Sequence, residues 1–216
     1  MNNGYYVELI GMPASGKSYY CNKIKKLLNK DKIVSNNFII LNKLKKIFFL
    51  IIFILKYKKY SIKILKLFFN LDFSKKEVRK HFYYFINEAP LRAYHEYNRD
   101  MVINSEGFRY RSLFFANYCT TVQKRKNFCK FIKSQPKVHL LILVKSKKKF
   151  NLVRSKSRKK GYKYSAKDIE FYEKNEKMIE KIYKESTKKS SLLSITQENE
   201  KKDLKKIVNT IKRFIN

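Results

Sequence analysis

Short apolar segments recur along the chain, and segments with helical spacing separate them. The segment from Val138 to Val144 is apolar on both faces, as expected for a central strand of a parallel sheet. The segment from Lys32 to Ser35 predicts a weaker strand. Three more strands are predicted at Tyr5–Ile10, Met101–Asn104 and Leu192–Ile195. Strands that alternate with helices in this way indicate an α/β domain of three layers around a parallel sheet.

The segments between the strands predict helices of different lengths. Apolar spacing of three and four residues predicts helices at Lys17–Leu28, Ser112–Lys133, Lys148–Lys159, Asp168–Lys184 and Glu198–Phe214. The segment from Leu41 to Phe69 is apolar but studded with lysines, and it fits either one long helix or two shorter ones. The segment Ser74–Arg99 opens with a capping pair, Ser74 and Glu77, and Pro90 is expected to break or kink its helix.

The first predicted strand leads directly into Gly11–Ser18 (GMPASGKS), which matches the phosphate-binding pattern G-x-x-x-x-G-K-[ST] in full. Glycines at Gly11 and Gly16 let successive backbone N–H groups surround a phosphate. The helix that follows adds its positive N-terminal end to the same anion. The motif lies between a strand and a helix, which is the context it requires. The sequence therefore predicts a nucleotide-binding loop.

Each part of this loop has a predicted role toward ATP or another nucleoside triphosphate. Lys17 reaches the β- and γ-phosphate oxygens as a mobile charge, and the Ser18 hydroxyl is a ligand for Mg²⁺. The predicted nucleotide contacts are Gly11, Pro13, Ala14, Ser15, Gly16, Lys17, Ser18 and Tyr19.

A second acidic site is expected at the end of the Met101–Asn104 strand, because open α/β sheets bind ligands beyond the carboxyl ends of their strands. Glu106 is the candidate catalytic base and second group for Mg²⁺. The Ser105-Glu106-Gly107 turn resembles the Asp-Glu-Gly strand end of many P-loop small-molecule kinases, with Ser105 where an aspartate usually stands. Without a carboxylate at Ser105, either Glu106 serves as base and metal group alone, or Asp100 or Glu88 assists it.

Two arginines follow the acidic turn, and two more lie in a basic segment farther along the chain. Arg109 and Arg111 could meet an anionic acceptor or the γ-phosphate. Arg154 and Arg158 are four residues apart and share one face of a predicted helix. Arginines on a closing segment can stabilise the charge that spreads over a transferring phosphoryl group. This segment resembles the R-x-x-x-R lid of nucleoside and nucleotide kinases.

Together these segments resemble the P-loop nucleoside and nucleotide kinases. The resemblance implies one domain over residues 1–216, with a five-stranded parallel sheet in the order 2-3-1-4-5, a helical acceptor-binding insert at about 38–99 and a lid at about 148–165. It also implies an adenine pocket between the lid helix and the segment around Thr196. The catalytic residues that it implies are Lys17, Glu106, Arg154 and Arg158.

Composition leaves other partners open. The formal net charge of +34 favours weak association with nucleic acid or an anionic membrane, although an excess that is mostly lysine is also typical of biased coding composition. Three cysteines without a CxxC pair and three scattered histidines argue against a Cys/His metal site and favour a cytoplasmic protein. The run Ile47–Leu55 is too short to span a bilayer and predicts a core helix or one lying on the inner membrane face.

The sequence thus favours an ATP-dependent, Mg²⁺-dependent kinase for a small acceptor such as a nucleoside, nucleotide, sugar or surface glycan. Two alternatives stay open at this point. One is a P-loop protein that acts on nucleic acid, either a polynucleotide kinase or a basic NTPase. The other is a nucleotide-binding switch without catalysis, which the absence of an aspartate at Ser105 would favour.

Overall fold

The computed structural model describes residues 5–28, 33–35, 41–69, 73–74, 76–105, 107–115, 122–157, 165–186 and 192–215. The strands are β1 (Tyr6–Ile10), β2 (Ile33–Ser35), β3 (Met101–Asn104), β4 (Leu140–Lys145) and β5 (Leu192–Thr196). They form one five-stranded parallel sheet in the order β2-β3-β1-β4-β5. The predicted fold class and strand order are confirmed.

Helices cover both faces of the sheet. Their bounds are α1 Lys17–Leu28, α2 Lys43–Lys56, α3 Lys58–Phe69, α4 Lys76–Tyr97, α5 Phe108–Phe115, α6 Val122–Ser134, α7 Lys148–Lys156, α8 Ala166–Ser186 and α9 Glu200–Ile215. One core lies between the sheet and helices α1 and α9, and the other between the sheet and helices α2 to α6. Because β4 contributes Leu140 and Ile142 to the first core and Leu141 and Leu143 to the second, it is apolar along its length.

Several helices differ from their predicted extent. The apolar segment after β2 forms two helices, which separate at Tyr57. Pro90 lies inside α4 and does not end it. Of the single helix predicted over Ser112–Lys133, the structure describes parts of α5 and α6, and residues 116–121 between them lie outside the described part of the chain. The side chain of Glu77, half of the predicted capping pair, also lies outside it.

The sequence predicts the run Ile47–Leu55 as a core helix or as one lying on a membrane, and in the structure only part of this helix is buried in the core. Phe49 and Phe53 are buried in the core, whereas Phe48 and Leu55 are exposed. Among the described residues, no helix is both long and apolar enough to cross a bilayer.

Glu8 is the one acidic residue of β1, and it is completely buried. Its Oε1 atom accepts hydrogen bonds from the backbone N–H groups of Arg109 (2.7 Å) and Tyr110 (3.0 Å) in the first turn of α5. Its Oε2 atom lies 3.7 Å from the Arg109 guanidinium. The carboxylate therefore caps α5, where the positive end of the helix dipole favours it. Burial nevertheless raises the pKa of Glu8, and Arg109 and the two N–H groups oppose that rise.

Gly107 is required by this contact. A Cβ atom at residue 107 would lie 2.6 Å from the Glu8 carboxyl carbon. We therefore expect Gly107→Ala to lower the free energy of unfolding by about 1–3 kcal/mol, as overpacking of a rigid core does. Urea unfolding followed by circular dichroism measures the change, with Asn209→Ala on the exposed face of α9 as the control. Equal stability of Gly107→Ala and the wild type would show that the Glu8 contact can relax freely.

Candidate active site

The loop Gly11–Ser18 joins β1 to α1 at the carboxyl edge of the sheet. Ala14 and Gly16 have positive φ angles of 62° and 97°, so the loop has the left-handed turns that direct backbone N–H groups inward. A Cβ atom at Gly11 would lie 2.6 Å from the carbonyl oxygen of Val144 on the neighbouring strand. Only glycine allows the loop to pass this close to β4.

Lys17 is buried inside the loop. Its Nζ atom donates hydrogen bonds to the carbonyl oxygens of Gly11 (2.9 Å) and Met12 (3.0 Å) and lies 4.4 Å from the centre of the Tyr110 ring. A triphosphate carries full negative charge and a carbonyl oxygen does not, so a triphosphate would hold the ammonium more strongly than these two carbonyl groups do. Lys17 is thus placed to exchange these two hydrogen bonds for contacts with phosphate oxygens.

Ser15 and Ser18 supply the hydroxyl groups of the loop. The Ser15 Oγ atom is buried, and within the described part of the chain no group hydrogen-bonds to it. A buried donor of this kind needs a partner, and a phosphate oxygen is one. Ser18 is exposed at the first turn of α1. A hydroxyl beside phosphate oxygens suits Mg²⁺, because Mg²⁺ takes few of its ligands from protein. Among the described residues, no group of three or more His, Cys, Asp or Glu side chains is arranged to hold a metal ion.

The carboxyl end of β3 carries the second part of the site. Glu106 lies outside the described residues, so its predicted role as base and metal group stays a prediction. Ser105 is buried in the position expected for an aspartate. The side chain of Asn104 donates to the Tyr6 hydroxyl (3.0 Å) and to a carboxylate oxygen of Glu88 on α4 (3.3 Å). Glu88 thus places a carboxylate at the edge of the sheet where the nucleotide loop lies.

Asp100, the other carboxylate considered as a helper, lies elsewhere. It precedes β3, and its Oδ2 atom is 2.8 Å from Nδ1 of His95. Because β1 and β3 are parallel, the start of β3 is at the edge opposite the nucleotide loop. Asp100 therefore cannot assist at the carboxyl edge.

A narrow cleft with an internal volume of about 20 Å³ lies beside Glu88. Glu88 and Arg111 are the charged residues of its lining, and the guanidinium of Arg111 stacks 3.7 Å from the centre of the Tyr84 ring. The other lining residues are apolar or aromatic, and they are Tyr60, Ile64, Phe68, Phe85 and Phe108. An aromatic cleft with a few placed charges is typical of a small-molecule site. Arg109, by contrast, donates to the Pro136 carbonyl (3.1 Å) and pairs with Glu8 inside the core.

The lid helix α7 approaches the nucleotide loop. An Nη1 atom of Arg154 would lie 3.9 Å from a Cβ atom built on Gly16. With the Gln197 amide turned so that its oxygen faces α7, Arg154 donates a 3.2 Å hydrogen bond to it. Arg158 lies outside the described residues. The predicted lid arginine and the segment after β5 are therefore brought together beside the loop.

Two of the predicted nucleotide contacts have other partners in the structure. Thr196 donates through its N–H (2.9 Å) and hydroxyl (3.2 Å) to Asp203 of α9. Tyr19 is exposed, and its hydroxyl donates to Glu200 (3.4 Å). Their proposed contacts with adenine and phosphate stay predictions.

Glu176 on α8 is a site residue that sequence reasoning missed. It is buried, its Oε2 atom has no hydrogen-bond partner within the described part of the chain, and Lys17 is the charged group that acts on it most strongly. Burial raises its pKa from 4.5 to about 7, against the attraction of Lys17. No local motif marks Glu176, because the helix brings it to the loop only through the packing of α8. Its electrostatic interaction with Lys17 makes its protonation relevant to the charge of the loop.

No protein-family model matches the chain, and no curated protein matches it. Among solved structures, the deoxyadenosine kinase from M. mycoides with bound dATP superposes with a TM-score of 0.57 and 15% identity, covering 96% of this chain and 99% of that one. The same kinase with products dCMP and a flexible dCDP bound gives 0.59 and 16%, covering 96% and 98%. The chain has a nucleoside kinase fold. The resemblance to P-loop nucleoside kinases is thereby confirmed at the level of fold, over nearly the whole length of both chains.

The raised pKa of Glu176 makes the free energy of unfolding of the protein depend on pH. Because its folded pKa is above its unfolded value, the folded state binds the extra proton, and unfolding becomes easier as pH rises from about 4.5 to about 7. Glu176→Gln removes this effect, so it should be more stable than the wild type above pH 7 by on the order of 2–3 kcal/mol and similar to it near pH 4. Urea unfolding across this range measures the difference.

Glu173→Gln on the same helix is the control, since Glu173 forms an ion pair with Lys177 (3.0 Å) at the surface. Its stability relative to the wild type should not show the rise between these pH values. A wild type and a Glu176→Gln variant with parallel pH profiles would contradict a raised pKa at Glu176.

Proposed function

We propose that the protein is an ATP-dependent kinase that phosphorylates a hydroxyl group of a small acceptor, with a nucleoside as the favoured class. The nucleotide loop supports the donor half of this proposal, and the aromatic cleft supports the acceptor half. The deoxyadenosine kinase with the same fold favours this acceptor class, since its structures contain dATP, dCMP and dCDP.

One observation carries the proposal: the first turn of α5 touches both half-sites. Phe108 and Arg111 line the cleft, while Tyr110, between them, lies over the ammonium of Lys17 in the nucleotide loop. A kinase needs its donor and acceptor held side by side and in line. A loop that only bound nucleotide would need no aromatic cleft at the other side of the same helix turn.

On the donor side, the backbone of Gly11–Ser18 would surround the β-phosphate, and Lys17 would leave the two carbonyl oxygens for the β- and γ-phosphates. Arg154 would approach the transferring group from α7, with Arg158 as the second lid arginine that the sequence predicts. Mg²⁺, when bound, supplies charge neutralisation between the β- and γ-phosphates, and Ser18 with Glu106 are the residues proposed to hold it.

On the acceptor side, a planar group would lie against Tyr84 and Phe108, since aromatic rings favour stacked contacts. Its hydroxyl would point to Glu88 at the carboxyl edge of β3. The hydroxyl oxygen forms a bond to the γ-phosphorus as the bond from that phosphorus to the β,γ-bridging oxygen breaks. The hydroxyl proton passes to Glu88 or to Glu106, and ADP leaves with the electron pair of the broken bond.

The lining of the cleft favours a small molecule over a nucleic acid chain. In this conformation the cleft holds only about 20 Å³, so an acceptor would enter it only as the aromatic side chains around it move apart. Single-stranded nucleic acid instead needs an open groove with successive stacking platforms. The excess of lysine does not change this, because charge alone gives only non-specific attraction.

We expect the protein to consume ATP only when an acceptor is present, and we expect this turnover to require Lys17. Purified protein with Mg²⁺ and ATP should release ADP in the presence of deoxynucleosides or ribonucleosides, and less or none with hexoses or short oligonucleotides. Lys17→Ala should lose this turnover by about 1000-fold, because the transferring phosphate loses its cation. Acceptor-dependent turnover retained in Lys17→Ala would overturn the mechanism, and tight ATP binding with no turnover on any acceptor would favour a switch.

A matched pair of substitutions distinguishes the roles of Glu88 and Glu106. If Glu88 accepts the hydroxyl proton, Glu88→Gln should lower kcat about 100-fold or more and leave ATP affinity nearly unchanged. If Glu106 acts at the metal, Glu106→Gln should instead weaken Mg²⁺ binding and raise the Mg²⁺ concentration that turnover requires. Asp100→Asn at the opposite edge of the sheet is the control and should keep wild-type turnover. Equal kcat in Glu88→Gln and Asp100→Asn would exclude Glu88 as the base.

A further inference from the structure

Helix α2 is apolar around its whole circumference although only one side of it is buried. Its inner side packs on α4, where Phe49 meets the rings of Tyr94 (5.2 Å) and Tyr97 (5.9 Å). On the other side, spacings of three and four residues align Leu44, Ile47, Phe48, Ile51, Ile54 and Leu55, which we call the outer stripe. Leu44 is 80% exposed, Phe48 58% and Leu55 71%. A helix that is hydrophobic all round is normally covered on all sides.

Lysines border the outer stripe on its own helix and on α3. Helices α2 and α3 contain no Asp or Glu, and their exposed lysines include Lys43, Lys45, Lys58 and Lys59. Lys56 is also exposed, and it forms an ion pair with Glu96 of α4 (2.9 Å). A second copy of the chain that covered the stripe through the same face would bring these lysines against their own counterparts. The charge therefore favours a partner that is both apolar and negatively charged.

We propose that the outer stripe of α2 docks on the surface of an anionic lipid bilayer. With 14 residues, α2 is about 21 Å long and cannot cross the hydrocarbon layer. It has the composition of a helix that lies in the plane of the interface, with large apolar side chains on one side and lysines at its borders. Apolar insertion and attraction of the lysines to anionic headgroups act together in such a helix.

Docking would set the bilayer close to the acceptor cleft without blocking it. Phe53, on the inner side of α2, stacks on Phe108 with ring centres 5.5 Å apart, and Phe108 lines the cleft. Tyr110, two residues farther along α5, lies over Lys17 of the nucleotide loop. The proposal does not depend on which acceptor the cleft binds, nor on catalysis.

Tryptophan fluorescence provides the direct test, because the natural chain contains no tryptophan. Full-length Phe48→Trp is mixed with vesicles of phosphatidylcholine plus phosphatidylglycerol or of phosphatidylcholine alone. We expect a blue shift with the anionic vesicles that stays after moderate added salt, because the side chain enters the acyl region. Val153→Trp, exposed on α7, is the control and should show no shift.

Sedimentation with the same vesicles measures the contribution of the stripe. Phe48→Ser/Ile51→Ser should bind anionic vesicles about tenfold or more weakly than the wild type, because two inserted apolar side chains are lost. Leu27→Ser/Val153→Ser removes two exposed apolar residues elsewhere and should bind as the wild type does. Thermal unfolding of both variants confirms that they fold.

Two results would overturn the proposal. If Phe48→Trp shows no blue shift and Phe48→Ser/Ile51→Ser binds as the wild type does, the attraction comes from the general positive charge of the chain alone. If light scattering shows a wild-type dimer that Phe48→Ser/Ile51→Ser converts to a monomer while vesicle binding stays equal, a second copy covers the stripe.

Discussion

The buried carboxylate of Glu8 holds the site together. It lies on the strand that leads into the nucleotide loop, and it accepts the N–H groups of Arg109 and Tyr110 at the start of α5. A buried carboxylate is stable only when N–H groups and a positive charge surround it, so β1, the Gly107 turn and α5 have to meet in this one geometry. Burial still raises the pKa of Glu8, which shows that the contact carries a desolvation penalty that the rest of the core must offset.

The geometry that Glu8 imposes places the two halves of the site on one helix turn. Tyr110 covers Lys17, and Phe108 and Arg111 line the aromatic cleft beside Glu88. Helix α2 supports the same turn from outside, because Phe53 stacks on Phe108. A change at the outer surface of α2 is thus separated from the acceptor cleft by only two aromatic rings. This continuity gives the proposed docking surface a physical connection to the site, through packed side chains.

Local patterns were sufficient to predict the strands and the nucleotide loop, and the resemblance to P-loop kinases supplied the sheet order. A glycine-rich turn between a strand and a helix has a recognisable sequence, and strands buried on both faces read as apolar runs. The cleft could not be predicted in this way, because Tyr84, Phe108 and Arg111 come together only through the packing of α4 against α5. Glu176 is missed for the same reason. Glu8 could have been recognised from the sequence, because a lone charge within the apolar strand YVELI requires a buried partner.

Neither the lid nor the second acidic site is decided by the fold alone. Arg154 reaches the region of Gly16, whereas Glu106 and Arg158 lie outside the described residues. Glu88 is a described carboxylate that the structure brings to the carboxyl edge of β3 beside the cleft, so we propose that it contacts the acceptor hydroxyl.

A crystal structure with a non-hydrolysable ATP analogue and a deoxynucleoside tests this assignment most directly. We expect Lys17 on the triphosphate, the base against Tyr84 and Phe108, and the acceptor hydroxyl within hydrogen-bond distance of Glu88. A nucleoside bound outside this cleft, or a hydroxyl directed away from the γ-phosphate, would contradict it.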